Sequence, residues 1–306
     1  MARRPGAVSI ALLMSMSFCG HVRAQEGDDD DDKSAKMGST LPNIYLDLRT
    51  TYTRLPANTL SIGLSNPSLS ATISNLAALT NTAVPAAPGR PALSSPASQG
   101  YALDVPLTVD VNDRVSLYGG FTASASQSGM SGWSTLAITS WNLGFQADLY
   151  QQNGGSIPTA TLQTTITRSV PDSPLATTSL NTILEFDYAL NKDETRGWLA
   201  GVQYTRVDVD SPMASVNPNI IGYVGGYYQW PDNWKFTGRA GVQSFGGARI
   251  LNLVPFPSFT QPLVRLDLDR MDDNDNRLFG ITAQIAWTPK PAYQLTIRTP
   301  LYAVRN

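Results

Sequence analysis

Residues 101–126 read YALDVPLTVDVNDRVSLYGGFTASAS, and this stretch decides the fold. In its first arm Tyr101, Leu103, Val105, Leu107, Val109 and Val111 alternate with Ala102, Asp104, Pro106, Thr108 and Asp110. In its second arm Val115, Leu117, Gly119, Phe121 and Ala123 alternate with Arg114, Ser116, Tyr118, Gly120 and Thr122. Between the arms lies only Asn112-Asp113, a pair that tolerates the φ values of a tight hairpin. Period-two alternation over two consecutive runs gives each strand one apolar and one polar face. About eleven residues per arm, rising ~3.3 Å each at ~45° tilt, cross roughly 25 Å, the height of the lipid-facing band of a membrane barrel.

The same pattern recurs along the chain. Asn43–Tyr52 opens with Ile44, Leu46 and Leu48 against Tyr45, Asp47 and Arg49. Trp141 to Leu149, Thr159 to Val170, Leu180 to Leu190, Trp198 to Tyr204, Ile221 to Tyr227 and Trp234 to Val242 follow. Then come Val264 to Leu268, Phe279 to Trp287 and Tyr293 to Leu301. Compact turns near residues 112–113, 153–156, 191–195, 231–233 and 271–276 alternate with longer links at 53–100, 127–139, 171–178, 208–219 and 246–261. Short turns on one side and long loops on the other are the barrel habit. The reading is therefore an all-β, antiparallel transmembrane β-barrel of about twelve strands. Tyr52, Tyr101, Tyr150, Tyr188, Trp198, Trp230, Trp234, Trp287 and Tyr293 border these runs, as aromatic girdles at the two membrane interfaces would.

The N-terminus fits export. Arg3 and Arg4 precede an apolar run from Ala7 to Phe18, and Val22-Arg23-Ala24 forms a small-residue cleavage site, so residues 1–24 are expected to be a signal peptide. Cleavage takes Arg3, Arg4 and Arg23 from 22 basic residues, leaving 19 against 24 acidic. It also removes Cys19 and His21, the only cysteine and histidine, so no disulfide staples the remainder. Residues 25–42, with the run Asp28–Asp32, read as a disordered acidic tail, and residues 43–306 as the barrel. Within it, 53–100 is too long for an ordinary loop. Leu69, Ile73, Leu76 and Leu79 stand at near-helical spacing there, and the segment is expected to be either an external loop or a plug folded into the lumen. Charged residues make up 15% of the chain, against about 25% in soluble domains, which fits a barrel whose strands each give one face to lipid.

The units Thr108–Phe121 (TVDVNDRVSLYGGF) and Gly225–Val242 (GGYYQWPDNWKFTGRAGV) resemble those of Gram-negative outer-membrane, porin-like proteins, most of all the group called "MetA-pathway of phenol degradation". The likeness spans most of residues 101–304 and is one of pattern. It implies a barrel in the outer membrane, folded by the barrel-assembly machinery, that passes small solutes. It also implies a C-terminal aromatic residue, from which this chain departs by ending LYAVRN.

On the polar face, the candidates for lining the lumen are Asp47, Arg49, Asp104, Asp110, Arg114, Asp148, Glu185, Asp187, Lys235, Arg239 and Arg298, joined by Arg265, Asp267 and Asp269. Mixed charge can line a watery pore or pair across a narrow one and close it. Asp104 and Asp110 are expected to help set a preference for cations if the lumen conducts, a mild one because Arg114 shares their face. Two functional classes stay open: a channel or passive transporter for small solutes, and a non-conducting structural, assembly or surface-binding protein. Enzymatic activity is not expected, because a hydroxyl–histidine mechanism has no base once His21 is gone, and Glu185 with Asp187 reads as lumen wall. No cofactor, metal or nucleic-acid partner is expected; lipid is. A soluble exported β-sandwich would also alternate, but with more charge on its outward faces.

Overall fold

The computed structural model describes residues 42–56, 97–129, 132–170, 176–212, 214–250, 258–272, 277–287 and 290–304. The expected signal segment, all but the last residue of the acidic tail, and residues 57–96 lie outside these. Every regular element among the described residues is a strand: β1 (Asn43–Leu55), β2 (Ser98–Asn112), β3 (Val115–Ser128), β4 (Ala137–Tyr150), β5 (Thr159–Ser169), β6 (Thr177–Ala189), β7 (Arg196–Val209), β8 (Ala214–Gln229), β9 (Trp234–Phe245), β10 (Ala248–Ile250), β11 (Phe259–Met271), β12 (Arg277–Trp287) and β13 (Pro291–Val304).

Each long strand pairs antiparallel with its neighbours in chain order, and β13 returns to pair with β1. The sheet is closed, with twelve long strands and no free edge along them. The three-residue β10 continues the line of β9 beside β8: Arg249 faces Ser215, just as Phe245 faces Asn219. Gly246-Gly247 interrupts that line. Gly247 has φ +91°, which only glycine adopts easily, and its carbonyl still accepts from the Asn217 N–H at 2.9 Å.

The organising hairpin is β2 and β3, and its register is displaced by one residue from expectation. The turn is Asp113-Arg114, because the side chain of Asn112 caps it: Asn112 Oδ1 accepts from the N–H groups of Arg114 and Val115, both at 2.9 Å. Arg114 therefore sits in an exposed turn at the barrel's end and not on its wall. The strands also outrun the alternation that revealed them. Thr53–Leu55 belongs to β1 and Ser98–Gly100 to β2, so the insertion expected at 53–100 begins later and ends sooner. At the same end β8 starts at Ala214 and β4 at Ala137. Beyond the lipid band both faces are wet, so the ladder continues while the apolar–polar contrast fades.

Outside, the surface is apolar: Leu107, Leu143, Val224 and Leu149 are all exposed, the last three by 60% or more. Inside, Asp47, Asn181, Gln203, Gln243 and Gln261 are buried. A soluble protein has the reverse arrangement, so the outer face is built for hydrocarbon. Aromatic rings cluster at both rims of that face. At the loop end Tyr101 packs between Tyr52 (5.0 Å between ring centres) and Trp133 (5.2 Å). At the turn end Tyr188 stacks on Trp198 at 5.5 Å, and Tyr228 meets Trp230 edge-on at 5.4 Å. Such rings rest where headgroups meet hydrocarbon.

Several inward tyrosines lie flat across glycines of the next strand. A Cβ on Gly144 would fall 2.6 Å from the Tyr118 ring, and one on Gly197 equally close to the Tyr227 ring. Gly144→Val, although it raises strand propensity, is therefore expected to lower the melting point of the folded barrel, by about 1–3 kcal/mol of overpacking. Adding Tyr118→Ala should return part of the loss. Thermal scans of the heat-modifiable gel mobility check this; an unchanged melting point for Gly144→Val would reject the close approach.

Candidate solute pathway

Because successive side chains alternate across the wall, the face of each strand fixes what the lumen sees. On β1, β2, β4, β6, β9, β11 and β13 the charged residues picked out from the sequence share the inward face with buried neighbours. Around mid-depth they join into a belt. Tyr223 donates to Glu185 Oε2 at 2.7 Å, and Arg239 contacts the same carboxylate at 3.3 Å. Arg239 reaches on to Asp267 Oδ2 at 2.8 Å, and Arg265 binds Asp267 Oδ1 at 2.9 Å. Thr282 donates to Asp267 at 2.6 Å. Arg298 pairs with Asp47, and Arg49 lies 3.8 Å from Asp104, which also accepts from Thr122.

The other predicted residues lie nearer the turn end. Asp110 accepts from Ser116 at 2.6 Å and Asp148 from Thr161 at 2.9 Å. Asp187 faces Gly-free β5 at Thr159 and Leu199 on β7, and Lys235 sits over the Tyr227 ring at 4.5 Å. Asp269 is joined at 3.0 Å by Arg277, which stands between the expected 271–276 turn and the expected strand start at Phe279 and so falls in neither. Arg114 joins none of these groups.

Toward the loop end the inner wall turns neutral. Asn181, Gln203, Asn219, Gln243 and Gln261 form a carboxamide run over β6 to β11. In it Gln203 Nε2 donates to Asn181 (2.9 Å), Gln243 to Asn219 (2.9 Å) and Gln261 to Gln243 (2.7 Å). Gln203 Oε1, Asn219 Nδ2 and Gln261 Oε1 keep no hydrogen-bond partner among the described residues. From beside them toward the turn end runs an apolar patch of Leu263, Ala286, Ile221 and Leu199 with Tyr223 and Tyr227. On the loop-end rim Arg168 grips Asp210 through two bonds, 2.7 and 2.6 Å, and those bonds hold the exposed Asp210 carboxyl below the usual carboxylate range.

Strand β8 differs from its sequence reading. Ile221, Tyr223 and Tyr227 form the apolar row by which the strand is recognised, a row that faces lipid on the other strands, yet here they point inward and are buried, while Ile220, Val224 and Tyr228 are exposed. The run IIGYVGGYY (220–228) is apolar at both parities, so period two cannot choose a face. The decisive signal lies across the wall: glycines at 201 and 241, either side of Tyr223, make room inside for its side chain.

No family model and no curated protein matches the chain. Solved structures do. An outer membrane channel from Pseudomonas putida F1 is 10% identical with a TM-score of 0.51, over 89% of this chain and 100% of that one. The transport unit of the autotransporter AIDA-I from Escherichia coli is 10% identical with a TM-score of 0.46, over 87% and 91%. The CymD monoaromatic hydrocarbon channel is 10% identical with a TM-score of 0.38, over 84% and 87%. The first of these likenesses shows an outer-membrane β-barrel fold for this chain.

Proposed function

We propose that this barrel lies in the outer membrane and passes small solutes passively through its lumen, after insertion by the barrel-assembly machinery. One observation carries the reading. Charged side chains at mid-depth stay partly solvated inside a closed wall; Arg49, in the middle of β1, keeps 40% of its side chain exposed. A guanidinium held so far from either rim needs water beside it, and a column of water is a path. The outer membrane channel from Pseudomonas putida F1, to which the fold is similar, agrees with this class of function.

A second reading, a non-conducting outer-membrane protein, is favoured by a different observation. Inward Ile221, Leu263, Gln243 and Gln261 are at most 1% exposed, so that sector of the lumen is filled. Planar-bilayer recording of the purified, refolded barrel separates the two. Discrete conductance steps in KCl are expected. A barrel that is folded by gel mobility yet silent at every voltage would leave the structural or binding role.

A further inference from the structure

Resting on the channel reading, we infer that the pathway favours small carboxylate-bearing anions, recognised by a mid-lumen belt of guanidinium groups on β1, β9, β11 and β13. A count of charges points the other way, since acids outnumber bases on the inner face. The count weighs every charge equally, whereas a solute meets only what projects from the wall.

Within the belt the two signs stand at different depths. The Arg49 side chain is 40% exposed and its Asp104 partner 11%; Arg298 is 26% exposed and Asp47 4%; Arg265 is 24% exposed and Asp267 7%. Only Glu185, at 27% against 18% for Arg239, reverses the order. An aspartate ends one carbon beyond Cβ and stays against the backbone, while arginine carries its charge at the tip of a long stem. The carboxylates are thus recessed and hydrogen-bonded, and the guanidiniums form the layer facing the water.

The registers concentrate that layer in one sector. Arg49 stands directly across from Arg298 on the β1–β13 ladder, and Arg239 directly across from Arg265 on the β9–β11 ladder. Such like-charged pairs repel, and here each is steadied by a recessed carboxylate, Asp47 with Asp104 and Asp267 respectively. Arg239 spends Nε and Nη2 on Glu185 and Nη1 on Asp267. Arg49, 3.8 Å from Asp104 and the most exposed of the belt, instead presents a guanidinium edge that can take a planar carboxylate in a bidentate grip. The acids outside the belt lie toward the turn-end mouth. Asp110 and Asp148 are engaged by hydroxyl donors there, and Asp187 lies near Lys235. At a mouth open to salt water, a charge is screened beyond roughly 8 Å at physiological ionic strength.

The test is the reversal potential of the wild-type barrel across a tenfold KCl gradient, together with block by two four-carbon ions, the dication 1,4-diaminobutane and the dianion succinate. Chloride should permeate better than potassium, about threefold, and millimolar succinate should reduce the current while the diamine does not. In the Arg239→Gln/Arg265→Gln variant the ratio should fall to one or below and succinate block should weaken at least about threefold. Should that variant fail to fold, the wild-type ratio and the two blockers still decide. Potassium preference with block by the diamine overturns the inference and leaves the channel standing. A folded but silent barrel overturns the channel reading and this inference with it, so the two failures are told apart.

Discussion

Leu107→Arg will prevent assembly of the folded barrel, and Thr108→Arg, one residue along, will not. Leu107 is 44% exposed on the outer face of β2, flanked by Leu46 on β1 and Gly119 on β3. It lies six residues along β2 from Tyr101, a ring of the loop-end girdle, or about 14 Å in depth at ~3.3 Å per residue and ~45° tilt. That places it near the middle of the hydrocarbon, where Arg costs about 2–4 kcal/mol, a factor of roughly 30 to 900 in the folding equilibrium. Thr108 points into the lumen between Tyr45 and Tyr118, two residues from Asp110, where an added guanidinium meets water and a carboxylate. Refolding into lipid vesicles, scored by heat-modifiable mobility, measures the difference. Equal yields for the two variants would show that the assigned faces are wrong.

That one-residue contrast also marks how much the sequence discloses. Where a strand pits Leu, Val or Phe against Asp, Thr or Gln, as in Leu103–Val111 or Trp141–Leu149, alternation finds both the strand and its inward face. The inward face of β11 is legible in the same way, from Val264, Leu266 and Leu268 against Arg265, Asp267 and Asp269. Alternation is silent where both faces are apolar, as in β8, and where both are wet, as at the loop-end extremities of β1, β2 and β8. In the first case the orientation depends on glycines of neighbouring strands; in the second, the strand persists on ladder hydrogen bonds alone. The belt was legible only as a set of residues. Which charges pair, and which of a pair recedes, follows from cross-strand register, and register between distant strands such as β1 and β13 leaves no local trace. The carboxamide run was invisible for a related reason: each of its members reads alone as an ordinary polar strand residue.

Asp267→Asn should be the most damaging conservative change inside the lumen. Asp267 is buried and receives Arg239, Arg265 and Thr282 on its two oxygens. The two arginines are direct cross-strand neighbours, so this carboxylate is what allows them to share a face. Asparagine keeps the shape, removes the charge and puts an N–H₂ group where at least one guanidinium now donates. Breaking one side of a buried ion pair costs about 3–5 kcal/mol; with both arginines partly solvated here, a loss near the lower end, about 3 kcal/mol, is expected in the urea unfolding of the lipid-inserted barrel. Arg265→Gln on top of Asp267→Asn should recover more than half of it, because Arg239 then has Glu185 to itself and no like charge opposite. Strict additivity of the two substitutions would dissolve the triad. If Asp267→Asn folds at reduced yield, its pores carry a second readout: with the recessed carboxylate gone and both guanidiniums retained, chloride preference should rise above the wild-type ratio, whereas a lumen whose selectivity follows the acids would shift by no more than the loss of any other single charge.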